Sequence, residues 1–469
     1  MHFIDTIKHT TQRCIVASLC LGLFATVSCE EFLVVKAPST QLASPTVFET
    51  DATATSAVLG MYEKMMENYN SIFNGQLTLC AGLSSDELLN TSGIGQMDEF
   101  FSNSLNPSND RLKLDFWNSA YNYIYQANAI IEGLSKSKGV SASVSSQLQG
   151  EAKLVRAFSH FYLANLFGDI PYVPSTDYRQ NSIIARTPAS KVYDQMVSDL
   201  LAAQILLSDN YVTTGRARPN KAVATALLAR VYLFQGDWPK AEQEASKVIG
   251  NQNYGLHSDL AKVFLAGSGE AIWQLIPVIS GLNTAEGNRF AQTSGTPTYA
   301  DMTLQLVSAF EPGDKRFVNW VSQYDVSGHT YYLPFKYKVR TSSVLTEYYS
   351  VLRLAEQFLI RSEARAKQSK LAAAVSDLDI IRNRAGLTLI QNTNPSISQS
   401  ALLLAIEQER RIELFCEWGH RWLDLKRTGR VDAVMTANKP GKWKSTSSLY
   451  PLPKTEILTN PNLTQNPGY

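Results

Sequence analysis

Between Glu409 and Arg430 the chain reads ERRIELFCEWGHRWLDLKRTGR. Glu409, Glu413, Glu417 and Asp424 are the residue types that general acid–base chemistry uses. A glycoside hydrolase requires little more than two opposed carboxylates. The spacing favours a structural reading. Glu417 and Arg421 stand i,i+4 in the orientation that stabilises a helix. Ile412, Phe415, Gly419 and Trp422 mark a packed side, so the charges serve as ion pairs that fix this helix against the C-terminal segment. HExxH, GxSxG, a Walker loop and a Gly-rich dinucleotide turn are all missing from the sequence. No Cys or His pair stands at metal-ligand spacing, so the expectation is no metal and no cofactor, while the many carboxylates leave a glycosidase open.

Sugar binding needs flat aromatic faces, with amides, carboxylates or guanidinium groups for the hydroxyls. Aromatics on periodic helices are core by default. Those outside periodic segments are the ligand candidates: Phe100, Phe101 and Asn103 in a loop-rich stretch 84–110, and Tyr299, Trp320, Tyr324, Tyr331 and Tyr332 in a second stretch 281–332. These two stretches are expected to share one face and form a shallow aromatic site.

A third chemistry sits near the start. Lys8 and Arg13 precede the apolar run Cys14 to Val27, which ends at Ser28-Cys29. The run is short for a membrane span and has a secretory-signal layout. A small residue before Cys suits lipoprotein processing, so residues 1–28 read as a signal peptide and Cys29 as the lipidated residue. Thr26 stands where a lipobox usually has Leu. Without residues 1–28 the chain holds 41 basic and 41 acidic residues, a balance that gives no pull towards nucleic acid. Cys80 and Cys416 are the other cysteines of the mature chain. They are free either to pair or to remain buried thiols, and their apolar surroundings favour thiols.

The elements that must carry these residues are mostly helical. Leu148, Ala152, Val155, Ser159, Tyr162 and Leu166 follow steps of four and three, one helical face. Gly168, Asp169 and Pro171 stop that helix, and Thr187-Pro188 opens another, with Thr187 as cap. Gly236 ends a helix, Asp237 caps the next, and Ala229, Tyr232, Ala241 and Ala245 let the two pack closely, a tetratricopeptide-like unit. A second pair spans 349–384. Further helices are expected near 52–68, 112–133, 145–167, 188–208 and 400–428. Strands are expected at 271–280 and within the segments starting at Val318 and His329. The last segment, YPLPKTEILTNPNLTQNPGY (450–469), is too broken for a continuous helix or a central strand and too apolar for a free tail, so it must be pinned against the body.

Together, EAKLVRAFSHFYLANLFGDIPYV, the helix pair 226–250, the 409–430 segment and the C-terminal segment resemble the SusD/RagB family. The resemblance implies a mainly α fold in which tetratricopeptide-like helix pairs form a scaffold with loop-rich and short-strand insertions. One domain would span 29–469, with an N-terminal part 29–215 and a C-terminal part 216–469. It also implies a non-enzymatic, lipid-anchored, surface-exposed outer-membrane protein that captures oligosaccharide for a TonB-dependent, SusC-like transporter and does not cleave it. The acidic Glu30 and Glu31 after Cys29 resemble the surface-export signal of such lipoproteins. The alternatives are an oligopeptide-binding member of the same family, a tetratricopeptide interaction scaffold and a surface glycosidase. The ligand residues of the family vary between members and transfer to no single position here.

Overall fold

The computed structural model describes residues 45–469; Cys29 and the signal segment lie outside them. In chain order, α1 is Asp51–Met66, α2 Leu77–Ser84, β1 Leu88–Asn90, α3 Gly95–Phe101, α4 Ser119–Lys136, α5 Ala142–Phe167 and α6 Ala189–Leu206. Then come α7 (Lys221–Gln235), α8 (Trp238–Ile249), β2 (Ala271–Leu275), α9 (Ala285–Phe290), β3 (Ala300–Met302) and α10 (Lys315–Trp320). The remainder includes β4 (Val321–Val326), β5 (His329–Pro334), β6 (Tyr349–Arg353), α11 (Leu354–Lys367), α12 (Leu371–Ala385), α13 (Gln399–Glu413) and α14 (His420–Arg427), followed by short helices at Val431–Asn438 and Lys454–Thr459. The protein is mainly helical. The short strands form antiparallel pairs, β1 with β3, β2 with β6 and β4 with β5.

The scaffold is a series of neighbouring helices in which α4 packs on α5, α5 on α6, α6 on α7, α7 on α8, α8 on α11 and α11 on α12. The expected face of α5, Leu148 through Leu166, is buried at every position. Gly236 takes the left-handed conformation that ends α7, and the Asp237 carboxylate accepts the Lys240 N–H to start α8. The small residues Ala229, Ala241 and Ala245 are fully buried between these helices. The cap of α6 differs from expectation. Pro188 occupies the cap position, Thr187 pairs with Ile170, and the Asp169 carboxylate accepts the Ala189 N–H at 2.8 Å.

The expected helix 400–428 breaks into α13 and α14. Cys416, Trp418 and Gly419 have φ of 47°, 50° and 69°. Two non-glycine residues in that region cost about 1–2 kcal/mol each. Buried contacts offset it. Trp418 stacks on Tyr349 with centroids 4.7 Å apart, its Nε1 donates to the Ser350 carbonyl and its N–H to Thr78 Oγ1, while the Cys416 N–H donates to Glu87 Oε1. The break separates Glu417 from Arg421, so the expected i,i+4 pair does not form. Glu417 meets Lys336 and Arg353; Arg421 meets Asp86 and Glu407.

The C-terminal segment is pinned. Tyr450, Leu452 and Leu463 are buried, and the Asn466 amide donates to the carbonyls of Phe167 and Tyr450. Cys80 and Cys416 are both buried free thiols whose pKa burial pushes up.

Candidate functional site

The acids of 409–424 sit inside the protein, each held by guanidinium groups. Glu413 contacts Arg316, Arg353 and Arg384; Glu409 contacts Arg316 and Arg382; Asp424 contacts Arg410 and Arg427. Their partners lie on the helical scaffold and β6, not on the C-terminal segment. Burial opposes ionisation at Glu413 and Asp424, but these neighbouring cations overcome it and hold both carboxyls well below the usual range. Sealed and fully paired, they have no access to a substrate.

The two loop-rich stretches do meet. In the β1–β3 pair, Leu88 faces Met302 and Asn90 faces Ala300, and the Thr91 N–H donates to the Tyr299 carbonyl at 3.3 Å. β3 then joins the β4–β5 hairpin. Asp301 Oδ1 accepts the Tyr332 N–H at 2.8 Å, and Oδ2 lies 3.7 Å from His329 Nε2. The loop before β3 is wound around the buried Gln292, whose amide donates to the carbonyls of Ser294 and Thr296. The Gln292 carbonyl in turn accepts from Ser322 Oγ of β4 at 3.2 Å.

Tyr324 and Tyr331 are directly opposed on the hairpin, with centroids 6.0 Å apart, and His329 meets the Tyr331 ring edge-on at 4.4 Å. Strand alternation puts them on the same side as Ser322, towards the Gln292 loop. Tyr299, Tyr324 and Tyr331 are half-buried, leaving part of each ring to solvent. The Tyr324 hydroxyl and Thr91 Oγ1 have no hydrogen-bond partner among the described residues. Burial and the nearby Asp301 push the Tyr324 hydroxyl pKa up.

Three expected ligand residues are corrected to interior positions. Trp320 ends α10 facing inward with Arg316, one turn away; its Nε1 donates to the Leu260 carbonyl at 3.0 Å and Lys336 lies 5.0 Å from its ring. Phe100 points inward from α3 against Phe116 and Tyr450. Asn103, at φ 54°, donates to the Ser84 carbonyl and accepts from Lys439, tying its turn to the core. Both short helices have too few turns to show a period, so their inward residues looked like loop residues. Phe101 is half-buried, with Lys439 and Lys442 at 5.1 and 5.2 Å from its ring. Tyr332 turns to the other side of the hairpin, 6.3 Å from Phe317. There a groove of about 440 Å³ is lined by Val307, Phe310, Phe317 and Val318.

Sequence reasoning missed Tyr69 and Arg289. Tyr69 is exposed on the turn after α1, where Asn68 and Asn70 interrupt the helical pattern. Arg289, on α9, lies 5.7 Å from the Tyr69 ring and 5.9 Å from the Tyr299 ring. The signal available was the Asn-Tyr-Asn break; nothing in the sequence tied it to residue 289.

A family model described as "Starch-binding associating with outer membrane" matches residues 31–233, and the model of the SusD family matches residues 322–469. The chain is 28% identical over 484 residues to SusD-like protein P2 of Formosa agariphila, covering 91% of this chain and 94% of that protein. It is 24% identical to the starch-binding protein SusD of Bacteroides thetaiotaomicron, covering 86% of each. Among solved structures, a SusD superfamily protein from Bacteroides vulgatus superposes with a TM-score of 0.79 at 20% identity over 90% of this chain and all of the other. A laminarin-binding SusD-like protein superposes with a TM-score of 0.76 at 22% identity over 90% of this chain and all of the other. End-to-end relatives, two matching family models and the shared helical scaffold agree: this chain belongs to the SusD/RagB family.

Proposed function

We propose that this protein is a non-enzymatic glycan-binding lipoprotein of the outer-membrane surface. It captures an oligosaccharide and delivers it to a TonB-dependent, SusC-like transporter, with Cys29 as its lipid anchor. The observation that carries the reading is the meeting of the two loop-rich stretches through the β1–β3 pair, which sets Tyr299 beside the hairpin carrying Tyr324 and Tyr331 and, across Arg289, beside Tyr69. Partly exposed rings fit the apolar faces of sugar rings. The starch-binding and laminarin-binding relatives support a glycan as the ligand. No described helix is long and apolar enough to cross a membrane.

Calorimetry of the mature chain carrying Cys29→Ala, against a panel of oligosaccharides and oligopeptides, tests this. Tyr299→Ala and Tyr331→Ala should each weaken glycan binding by about tenfold, the loss of roughly 1.4 kcal/mol of ring contact. Binding of peptides alone, or appearance of shortened glycans during titration, would refute the reading.

A further inference from the structure

Arg289 is 2% exposed, yet among the described residues it has no ion-pair partner. Every other buried arginine among the described residues meets a carboxylate; Arg230 meets Glu356, Arg353 meets Glu270, Glu413 and Glu417, and Arg421 meets Asp86. Arg289 has only neutral acceptors. Its Nη2 donates to the Tyr69 carbonyl, to Asn70 Oδ1 at 3.2 Å and to Gln76 Oε1 at 2.9 Å. Its Nε and Nη1 have no acceptor among the described residues. Space for Nη1 exists because residue 75 is glycine at φ +83°; a Cβ there would stand 2.7 Å from it.

A buried, unpaired guanidinium is costly, and loss of its charge is not an escape open to arginine. No carboxylate among the described residues stands within ion-pair distance of it. Glu286 is outside ion-pair distance; its Oε1 accepts from the Tyr349 hydroxyl, and burial pushes its pKa up to about 7. Asp115 takes Arg111 and Gln76, and Asp301 takes the Tyr332 N–H and faces His329. Asp325 and Asp98, farther out, accept from Thr330 and Asn90, while Arg340 and Lys338 are exposed cations on the segment after the hairpin.

We propose that Arg289 is a specificity-determining residue: it joins Tyr69 and Tyr299 into one platform and gives that platform a positive potential, so that the ligand is an acidic oligosaccharide bearing uronate carboxylates or sulfate esters. This rests on the glycan-capture reading. The acceptors of Arg289 all belong to the segment 69–76 that carries Tyr69, and its charge lies against both rings. An anionic group on a sugar stacked outside these rings stands on the order of 10 Å from the charge. At an effective dielectric of about 20, that favours it over a neutral group by about tenfold.

The test is calorimetry of the mature Cys29→Ala chain with oligogalacturonate, a sulfated galactan oligosaccharide and a neutral galactan oligosaccharide of equal length. One or both acidic ligands should bind about tenfold tighter than the neutral one at low salt, with the ratio shrinking as salt is raised. Arg289→Lys should keep the preference, and Arg289→Met should abolish it. A merely structural arginine would weaken all ligands by one factor and leave the ratio unchanged, which overturns the proposal. If Arg289→Met does not fold, the wild-type ratio and its salt dependence decide, and a neutral ligand bound as tightly as the acidic ones refutes acidic selectivity. Failure to bind any glycan from the wider panel refutes the glycan-capture reading itself.

Discussion

At the scale of single residues, burial is what turns charges into structure here. Glu286 shows this in a testable form. Its carboxyl is enclosed with Tyr349 and Arg289 as neighbours, and burial raises its pKa from 4.5 to about 7. The folded state therefore holds a proton that the unfolded chain releases near its ordinary pKa. Stability from this group is present at low pH and declines as pH rises from about 4.5 to about 7, after which the loss is complete. Glu286→Gln removes the titration while keeping an acceptor for the Tyr349 hydroxyl. It should raise the melting temperature at pH 8 relative to wild type, by on the order of 2–3 kcal/mol in stability, with the gain vanishing near pH 4.5. An equal effect of the substitution at both pH values would contradict the assignment. Residue-scale legibility was uneven. Tyr299, Tyr324 and Tyr331 were readable because they lie outside any helical period. Arg289 was not, since its role depends on residues 69–76, more than two hundred positions away.

At the scale of elements, periodicity and caps carried most of the reading. α5, α7 and α8 follow from spacing, Gly236 and Asp237 alone. The break between α13 and α14 was hidden because Cys416 and Trp418 take left-handed φ values for the sake of tertiary contacts, which no local propensity encodes. The segment starting at Val318 reads as a short strand or irregular segment, yet its first three residues close α10, whose six residues are too few to reveal a helical repeat. The C-terminal segment was legible as pinned from its composition, and its anchors are side-chain bonds such as the reciprocal pair between Gln465 and Leu452. Removing 450–469 exposes the pockets of Tyr450, Leu452 and Leu463, each worth about 1.5–3 kcal/mol when fully buried. The truncated protein should aggregate or melt far below the full chain in differential scanning calorimetry; an unchanged melting temperature would show that the segment does not support the body.

At the scale of the whole molecule, a nearly neutral chain carries a dense internal network of ion pairs and sets half-exposed tyrosines around the β1–β3 pair and the β4–β5 hairpin. That division between a rigid scaffold and a small aromatic surface suits a capture protein. Such a protein must hold its ligand in an open site and let it go, so modest affinity is expected. Anchoring belongs to the same scale: intact mass of the native protein should show a diacylglycerol and an acyl chain on Cys29, and an unmodified Cys29 would remove the proposed membrane attachment. The most direct measurement is a crystal structure of the protein with the tightest-binding oligosaccharide of the panel. The sugar should lie against Tyr299, Tyr324 and Tyr331, with Tyr69 at its edge and no contact to Trp320. A sugar seated instead in the groove of Phe310 and Phe317, or anywhere away from the three tyrosines, would contradict the proposed site.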